Sequence, residues 1–429
     1  MVAPEEPIRL KRSLGLLEAT MIGMGATIGP TIFVVPSFAF SLAGPAVIVS
    51  FIIAGLVTLL TAINYAYMAS IIPEAGGGYS FASHAFGGFP AFLSGWLMWI
   101  GNVAYASLSA YTFGLSLAHV FPQLSVIGVS FMMILLFSLI NFIGAKESGR
   151  SEVILSGVVL AVLAAFVIAG IPHIQVSRYN PLFPHGLSPV FFLTGYVYSI
   201  YIGFEIIANT TEEVKMGSVI VPKAIILTIL ISIVLFPLIV TILVGLSPGS
   251  LIANSETPLV DSTVSVFGSR AGTIMAIAGM LASLAALNAA MIASARTIFA
   301  LARDTRIPRF FFRLHRSFRT PYYGIAASLV TAAIFLIPQD VDFMVYATNF
   351  GYLLGLSIIN ASGLVLRKRG SRRRSILIPL GAFVTSLVVL PTLHPNALII
   401  GGTLTVIGAL ANVLYNRRKR TTSASERTP

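Results

Sequence analysis

The stretch GATIGPTIF, Gly25 to Phe33, lies inside a long apolar run near the N-terminus and interrupts it with two glycines and a proline. A membrane span needs about 20 apolar residues, and the run 14–43 exceeds that. At about 1.5 Å per residue, a run of roughly thirty reaches about 45 Å against a hydrocarbon core of about 30 Å. The excess leaves room for an unwound turn. Pro30 brings no amide hydrogen and its ring clashes with the preceding turn. Gly25 and Gly29 lower the cost of leaving helical geometry. An opened turn frees carbonyls and amides where lipid offers no partner, so it persists only where protein or a water-lined cavity shields it. The half-helix that starts after the break would aim the positive end of its dipole at that cavity, which suits an anionic group such as a carboxylate. Gly25 and Gly29 also form a GxxxG pair, which reads equally well as a helix-packing motif.

Composition decides that the solvent is lipid. The 429 residues are 56% hydrophobic and 10% charged, with a mean hydropathy of +0.91, whereas soluble domains carry about 25% charged residues. Met1 to Arg12 is polar and no small-residue cleavage site follows the first apolar run, so no cleavable signal peptide is expected. Cysteine is absent, which removes disulfides and thiolate metal sites. The six histidines are scattered with no HExxH pair, so neither a metal nor a cofactor is expected. Gly76-Gly77-Gly78 lacks the Lys-Ser/Thr of a phosphate loop and reads as a turn entering a re-entrant segment. Paired catalytic groups are missing as well, so the chain offers no catalytic residues and is not expected to be an enzyme.

Twelve candidate spans emerge, near 14–43, 45–72, 88–121, 124–143, 152–173, 189–209, 221–246, 270–299, 322–338, 341–366, 375–392 and 396–415. With a cytoplasmic N-terminus, 25 of the 27 Lys and Arg residues fall on the inner side, leaving only Arg178 and Arg270 outside. That sorting fits the positive-inside rule and predicts both termini in the cytoplasm of a multi-pass plasma-membrane protein. The net charge of +12 therefore reads as topology and contact with anionic lipid rather than nucleic-acid binding. The tail TTSASERTP is small and polar and reads as disordered.

A second interruption lies in the sixth span, at YIGFEIIAN, Tyr201 to Asn209. Gly203 sits mid-span beside Glu205, the clearest acid deep in an apolar run. A carboxyl in a bilayer is costly unless neutral or paired, so Glu205 reads either as a proton carrier or as a structural acid bonded to freed amides. Broken spans one and six stand five apart. Because five is odd, a five-span repeat inserts its copy upside down, which is a transporter plan with its site at mid-membrane. The expected fold is thus all-α and integral to the membrane, with twelve transmembrane helices in a five-plus-five inverted repeat. Its parts are a cytoplasmic segment 1–13, a first repeat 14–173, a second repeat 189–366, a final pair of spans 375–415 and a cytoplasmic tail 416–429.

Taken together, these residues resemble the amino acid–polyamine–organocation superfamily of secondary transporters. The resemblance covers nearly the whole chain and rests on the order and spacing of four stretches: GATIGPTIF, PEAGGGYSFASHAFG after span two, YIGFEIIANTTEEVKMGSVIVPKAI around span six, and SARTIFALARDTRIPRFF after span eight. It implies the leucine-transporter-like fold and alternating-access transport of amino acids or related amines, coupled to protons or run as exchange. By resemblance, the substrate carboxylate would meet backbone around Ile28, Gly29 and Thr31, and the amino group would meet carbonyls near span one and around Ile200, Tyr201 and Gly203. Asn102, in WIGN, matches a family position that faces the site, and reads otherwise as an interhelical hydrogen bond. Pro30 stands where many members have a residue with an amide, so Thr31 would supply a hydroxyl instead. No Lys occurs in Ser156 to Gly170, where some proton-coupled members carry one, which leaves Glu205 as the proton-coupling candidate. Sodium is the alternative coupling ion, with Ser283 and span-one carbonyls as ligands, although Ser283 reads also as a packing hydroxyl. A channel or a non-transporting amino-acid sensor is the remaining class.

Overall fold

The computed structural model describes residues 14–74, 76–143, 149–369 and 375–425. The expected cytoplasmic segment 1–13, with Arg9, Lys11 and Arg12, lies outside the described residues, as do Lys146, Arg372, Arg373, Arg374 and Arg427. The described part of the chain is mainly helical. The first half runs α1 (Leu16–Ile28), α2 (Thr31–Ala43), α3 (Val47–Ile71), α4 (Gly77–Ala85), α5 (Gly88–Val120), α6 (Val126–Ile143), α7 (Gly149–Gly170), α8 (Ser188–Val197) and the single turn α9 (Ile206–Asn209). The second half runs α10 (Gly217–Leu246), α11 (Gly249–Asn254), α12 (Pro258–Phe267), α13 (Ser269–Arg303), α14 (Tyr322–Leu336), α15 (Val341–Arg369), α16 (Leu377–Val389) and α17 (Pro395–Ser425). Among the described residues the only β pairing is an isolated parallel bridge between Leu14 and Val214. In it the Leu14 amide donates to the Glu213 carbonyl at 3.1 Å and the Lys215 amide donates to the Leu14 carbonyl at 2.9 Å.

Eight helical stretches among the described residues are long and apolar enough to cross a membrane by length and composition. The first, Leu16–Ile71, covers 56 residues, far beyond one crossing of about 20. Two shorter apolar helices, Tyr322–Leu336 and Leu377–Thr392, add to these. Faces such as Leu135, Leu136 and Leu139 of α6, or Ile399, Val406 and Leu410 of α17, leave large apolar side chains uncovered, as expected where lipid is the neighbour. At the C-terminus, α17 continues through Ser425, across much of the tail that the sequence reads as disordered. No Gly or Pro interrupts 409–425, so nothing local stops the helix.

α5 and α13 form the centre, with α15 packed against α5, α3 against α10, and α1 held among α7, α10 and α13. Small residues permit this closeness. The backbones of α5 and α15 touch at Gly101 and Gly351, where a Cβ on Gly351 would lie 2.8 Å from the Leu97 carbonyl oxygen and 2.9 Å from the Gly101 nitrogen. That crossing brings the next residues on each helix, Asn102 and Tyr352, together. A buried polar knot fixes α3 to α15 and α16: Asn64 Nδ2 donates to Asn360 Oδ1 at 3.1 Å, and Asn360 Nδ2 donates to Ser386 Oγ at 2.9 Å and Thr61 Oγ1 at 3.0 Å. The amide nitrogens of both residues are thereby paired, which avoids a penalty of about 1–3 kcal/mol for each unsatisfied buried donor, while Asn64 Oδ1 has no partner.

Candidate functional site

Helix α1 stops at Ile28. Gly29 follows with φ +39° and ψ −156°, its amide reaching back to the Gly25 carbonyl, and α2 begins after Pro30. In an uninterrupted helix the carbonyl of residue 26 would accept from the amide of residue 30. Residue 30 is proline, so the Ala26 carbonyl has no partner within its own chain segment. The Tyr105 hydroxyl of α5 supplies the missing donor at 2.8 Å. It sits so close to the turn that a Cβ on Gly29 would lie 1.9 Å from Tyr105 Oη. Thr31, the first residue of α2, places its hydroxyl beside that of Tyr105.

The second interruption meets the first at the same point. α8 ends at Val197, a 3-10 turn carries the chain from Tyr198 to Tyr201, and Ile202 is extended. Gly203 then adopts φ +125°, a conformation that L side chains rarely take. A Cβ there would lie 2.5 Å from the Ala26 carbonyl carbon and 2.5 Å from the Thr27 nitrogen. The Gly203 amide donates to Glu205 Oε2 at 2.8 Å, so the acid holds the turn that precedes it. Glu205 is 2% exposed. The Tyr352 hydroxyl lies near its carboxylate, whose Oε1 has no hydrogen-bond partner.

The structure brings together most of the residues singled out from sequence. Gly29 and Gly203 meet at Ala26, with Thr31 beside Tyr105 and Glu205 bonded to the Gly203 amide, while Ile28 lines the cleft toward α7. Asn102 joins them through Tyr352, whose hydroxyl donates to Asn102 Oδ1 at 2.9 Å, while Asn102 Nδ2 donates to the Met98 carbonyl at 2.7 Å. Ile200 is fully buried in the 3-10 turn. Tyr201 turns away from this group: its hydroxyl donates to the Phe51 carbonyl of α3 at 2.8 Å and its ring packs on Phe236 of α10. Ser283 is buried on α13 with no hydrogen-bond partner for its hydroxyl. A narrow cleft behind the first interruption is lined by Gly25 and Ile28 of α1, by Leu155, Ser156 and Val159 of α7, and on α13 by Ala282 and Ala285 rather than Ser283. Sequence reading passed over Tyr65, Tyr105 and Tyr352, because a tyrosine in an apolar helix carries no local mark that separates packing from polar work. Among the described residues, no cluster of three or more His, Asp or Glu could hold a metal ion.

Polar ties close both ends of the bundle around this region. On the side predicted to be cytoplasmic, Arg296 of α13 donates to the Asn209 carbonyl at 3.2 Å and pairs with Glu213 at 3.3 Å. Tyr79 of α4 donates to Asp304 at 2.8 Å, and Asp304 pairs with Arg303 at 3.2 Å. Burial, helped by this acceptor, holds the Tyr79 hydroxyl above its ordinary pKa. Gly77 and Gly78 open α4 directly beneath Tyr65, where a Cβ on either would lie 3.1 Å from Tyr65 Oη. At the opposite end, Tyr196 donates to Asp342 at 2.6 Å, Phe38 and Tyr346 pack on Tyr196, and His394 stacks on Tyr346.

Comparison with known proteins agrees with this architecture. The profile of the amino acid permease family matches residues 14–414. The chain is 29% identical to the methylthioribose transporter of Bacillus subtilis over 379 residues, covering 84% of this chain and 82% of that protein. It is 27% identical to the branched-chain amino acid permease BcaP of Bacillus subtilis, with 84% and 82% covered. It is 28% identical to the BcaP of Lactococcus lactis, with 93% of each chain covered. The interrupted helices, the buried polar centre and the match along nearly the whole chain have one reading: this chain belongs to the amino acid permease family and is a membrane transporter, not an enzyme.

Proposed function

We propose that this protein is a secondary active transporter that moves amino acids or related amines across the plasma membrane by alternating access, coupled to protons or operating by exchange. The observation that carries the reading is the meeting of two helix interruptions at the buried Ala26 carbonyl, with Gly203 pressed against it and the Glu205 carboxylate alongside. In this reading twelve spans form a five-plus-five inverted repeat, 14–173 and 189–366, followed by the pair 375–415, with both termini in the cytoplasm. α1 with α2, and α8 with α9, are the two broken spans. The substrate carboxylate meets the turn at Ile28, Gly29 and Thr31. Its amino group meets carbonyls of the first break and of the turn through Ile200, Tyr201 and Gly203, with Asn102 at the wall. Backbone donors and acceptors that a broken helix releases from its own ladder suit a small zwitterion, whose two ends match them.

Glu205 is the proton-coupling candidate, since it is the ionisable group held at the interruption itself. A sodium-coupled mechanism is the alternative, with Ser283, whose buried hydroxyl has no hydrogen-bond partner, as its candidate ligand. The family and the two relatives named branched-chain amino acid permeases support an amino acid, while a third relative is named for methylthioribose. The test is reconstitution into liposomes and measurement of uptake and exchange of each of the twenty common L-amino acids and the polyamines under proton and sodium gradients. Saturable uptake or counterflow of one or more supports the proposal. Absence of both for the whole panel overturns it.

A further inference from the structure

We infer that the Tyr105 hydroxyl is a built-in competitor of the substrate's ammonium group, holding one of the carbonyls that the ammonium would use and yielding it to a stronger donor. The inference rests on the transport reading above and deepens it by naming the residue that makes the site demand an amine. Three observations converge. Pro30 removes the amide that would have satisfied the Ala26 carbonyl. Tyr105 donates to that carbonyl at 2.8 Å from a fully buried position on another helix. The same oxygen lies against the Gly29 turn, where a Cβ would stand 1.9 Å from it. A ligand entering the break therefore meets the Ala26 carbonyl with the Tyr105 hydroxyl already bonded to it.

The chemistry of the exchange is selective. A phenol offers the carbonyl a single neutral hydrogen bond, whereas an ammonium offers three donors and a positive charge. Charge-assisted hydrogen bonds are roughly twice as strong as neutral ones, so an amine can take the carbonyl from the phenol. A carboxylic acid without an amine brings no such donor and leaves Tyr105 in place. The displaced hydroxyl has a partner at hand in the neighbouring Thr31 hydroxyl, which has no hydrogen-bond partner of its own. The ammonium in turn comes within reach of Glu205, which the Gly203 amide holds at the same turn.

The test compares binding to the purified full-length protein and its Tyr105→Phe variant, which keeps the ring and removes the donor. The twenty common L-amino acids are titrated one at a time, and for every binder the matching des-amino acid is titrated too. Loss of one competing hydrogen bond should tighten amino acid binding about two- to tenfold and leave the des-amino acid unchanged. A second form with 3-fluorotyrosine at position 105, a stronger donor of nearly the same size, should shift amino acid affinity the opposite way. Equal or weaker amino acid binding by Tyr105→Phe overturns the inference, and so does an equal shift for both ligands, which would mark a merely structural role. If Tyr105→Phe does not fold, the fluorinated form decides alone, and unchanged affinity there overturns the inference. If the unmodified protein binds none of the twenty, the transport reading itself fails and this inference with it, an outcome distinct from normal binding that is indifferent to residue 105.

Discussion

Gly203 stands against Ala26 with no room for a single additional carbon: a Cβ on Gly203 would lie 2.5 Å from the Ala26 carbonyl carbon. The two residues are 177 positions apart in sequence, and each belongs to a helix that loses its regular geometry at that point. Backbone-to-backbone contact of this kind is possible only because one partner is glycine at φ +125°.

Gly203→Ala follows directly. The new methyl group must push the α1 turn aside, and the φ angle costs about 1–3 kcal/mol in addition. Uptake in proteoliposomes should fall at least about tenfold, with a lower unfolding temperature in detergent. Wild-type uptake by Gly203→Ala would show that the two interruptions need not touch.

Gly29→Ala tests the same junction from the other side, and Tyr105→Phe should relieve part of its effect. The clash of 1.9 Å is with Tyr105 Oη, and the next contact, with Tyr105 Cζ, is 3.0 Å. The positive φ at Gly29 remains unfavourable in the double variant. A double-mutant cycle on thermal stability should give a favourable coupling of about 1 kcal/mol or more. Strict additivity would place the two residues apart.

These two glycines also show how much the sequence made legible. Pro30 and Gly203 are marks that a reader of sequence can use, because each alters backbone geometry whatever surrounds it. The all-helical class was legible for a similar reason, since long apolar runs leave the backbone no other way to satisfy itself in lipid. Asn102 could be singled out, but not its bond to Tyr352, which lies 250 positions away and depends on the close crossing at Gly101 and Gly351. Tyr105 was hidden because its role exists only in three dimensions: the carbonyl it satisfies was orphaned by a proline on another helix. The side chain of Tyr201 is a second case: its hydroxyl runs to the Phe51 carbonyl of α3, a contact that its neighbours in sequence do not signal.

Glu205→Gln separates coupling from binding. Glutamine keeps the size and an acceptor for the Gly203 amide but has no titratable proton. Uptake driven by an inward proton gradient should fall to the level without a gradient, while counterflow of labelled substrate persists. An unchanged response to the proton gradient in the variant would remove Glu205 from the coupling mechanism.

Arg296→Ala should loosen the end of the bundle predicted to be cytoplasmic. Its pair with Glu213 is about one-third exposed on each side, so the ion pair itself is worth about 0.5–1 kcal/mol. That corresponds to about a two- to fivefold shift in the balance between closed and open forms. The chain has no cysteine, so a single Ala208→Cys in an otherwise unchanged protein gives a clean accessibility reporter. Its labelling rate by a membrane-impermeant maleimide should rise about two- to fivefold on adding Arg296→Ala. An unaltered rate would show that the Asn209 and Glu213 contacts do not hold that end shut.

The short pairing of Leu14 with Glu213 and Lys215 has a mechanical consequence. It fastens the start of α1 to the chain just beyond α9, so these two elements are tied at that end as well as at the Ala26–Gly203 contact.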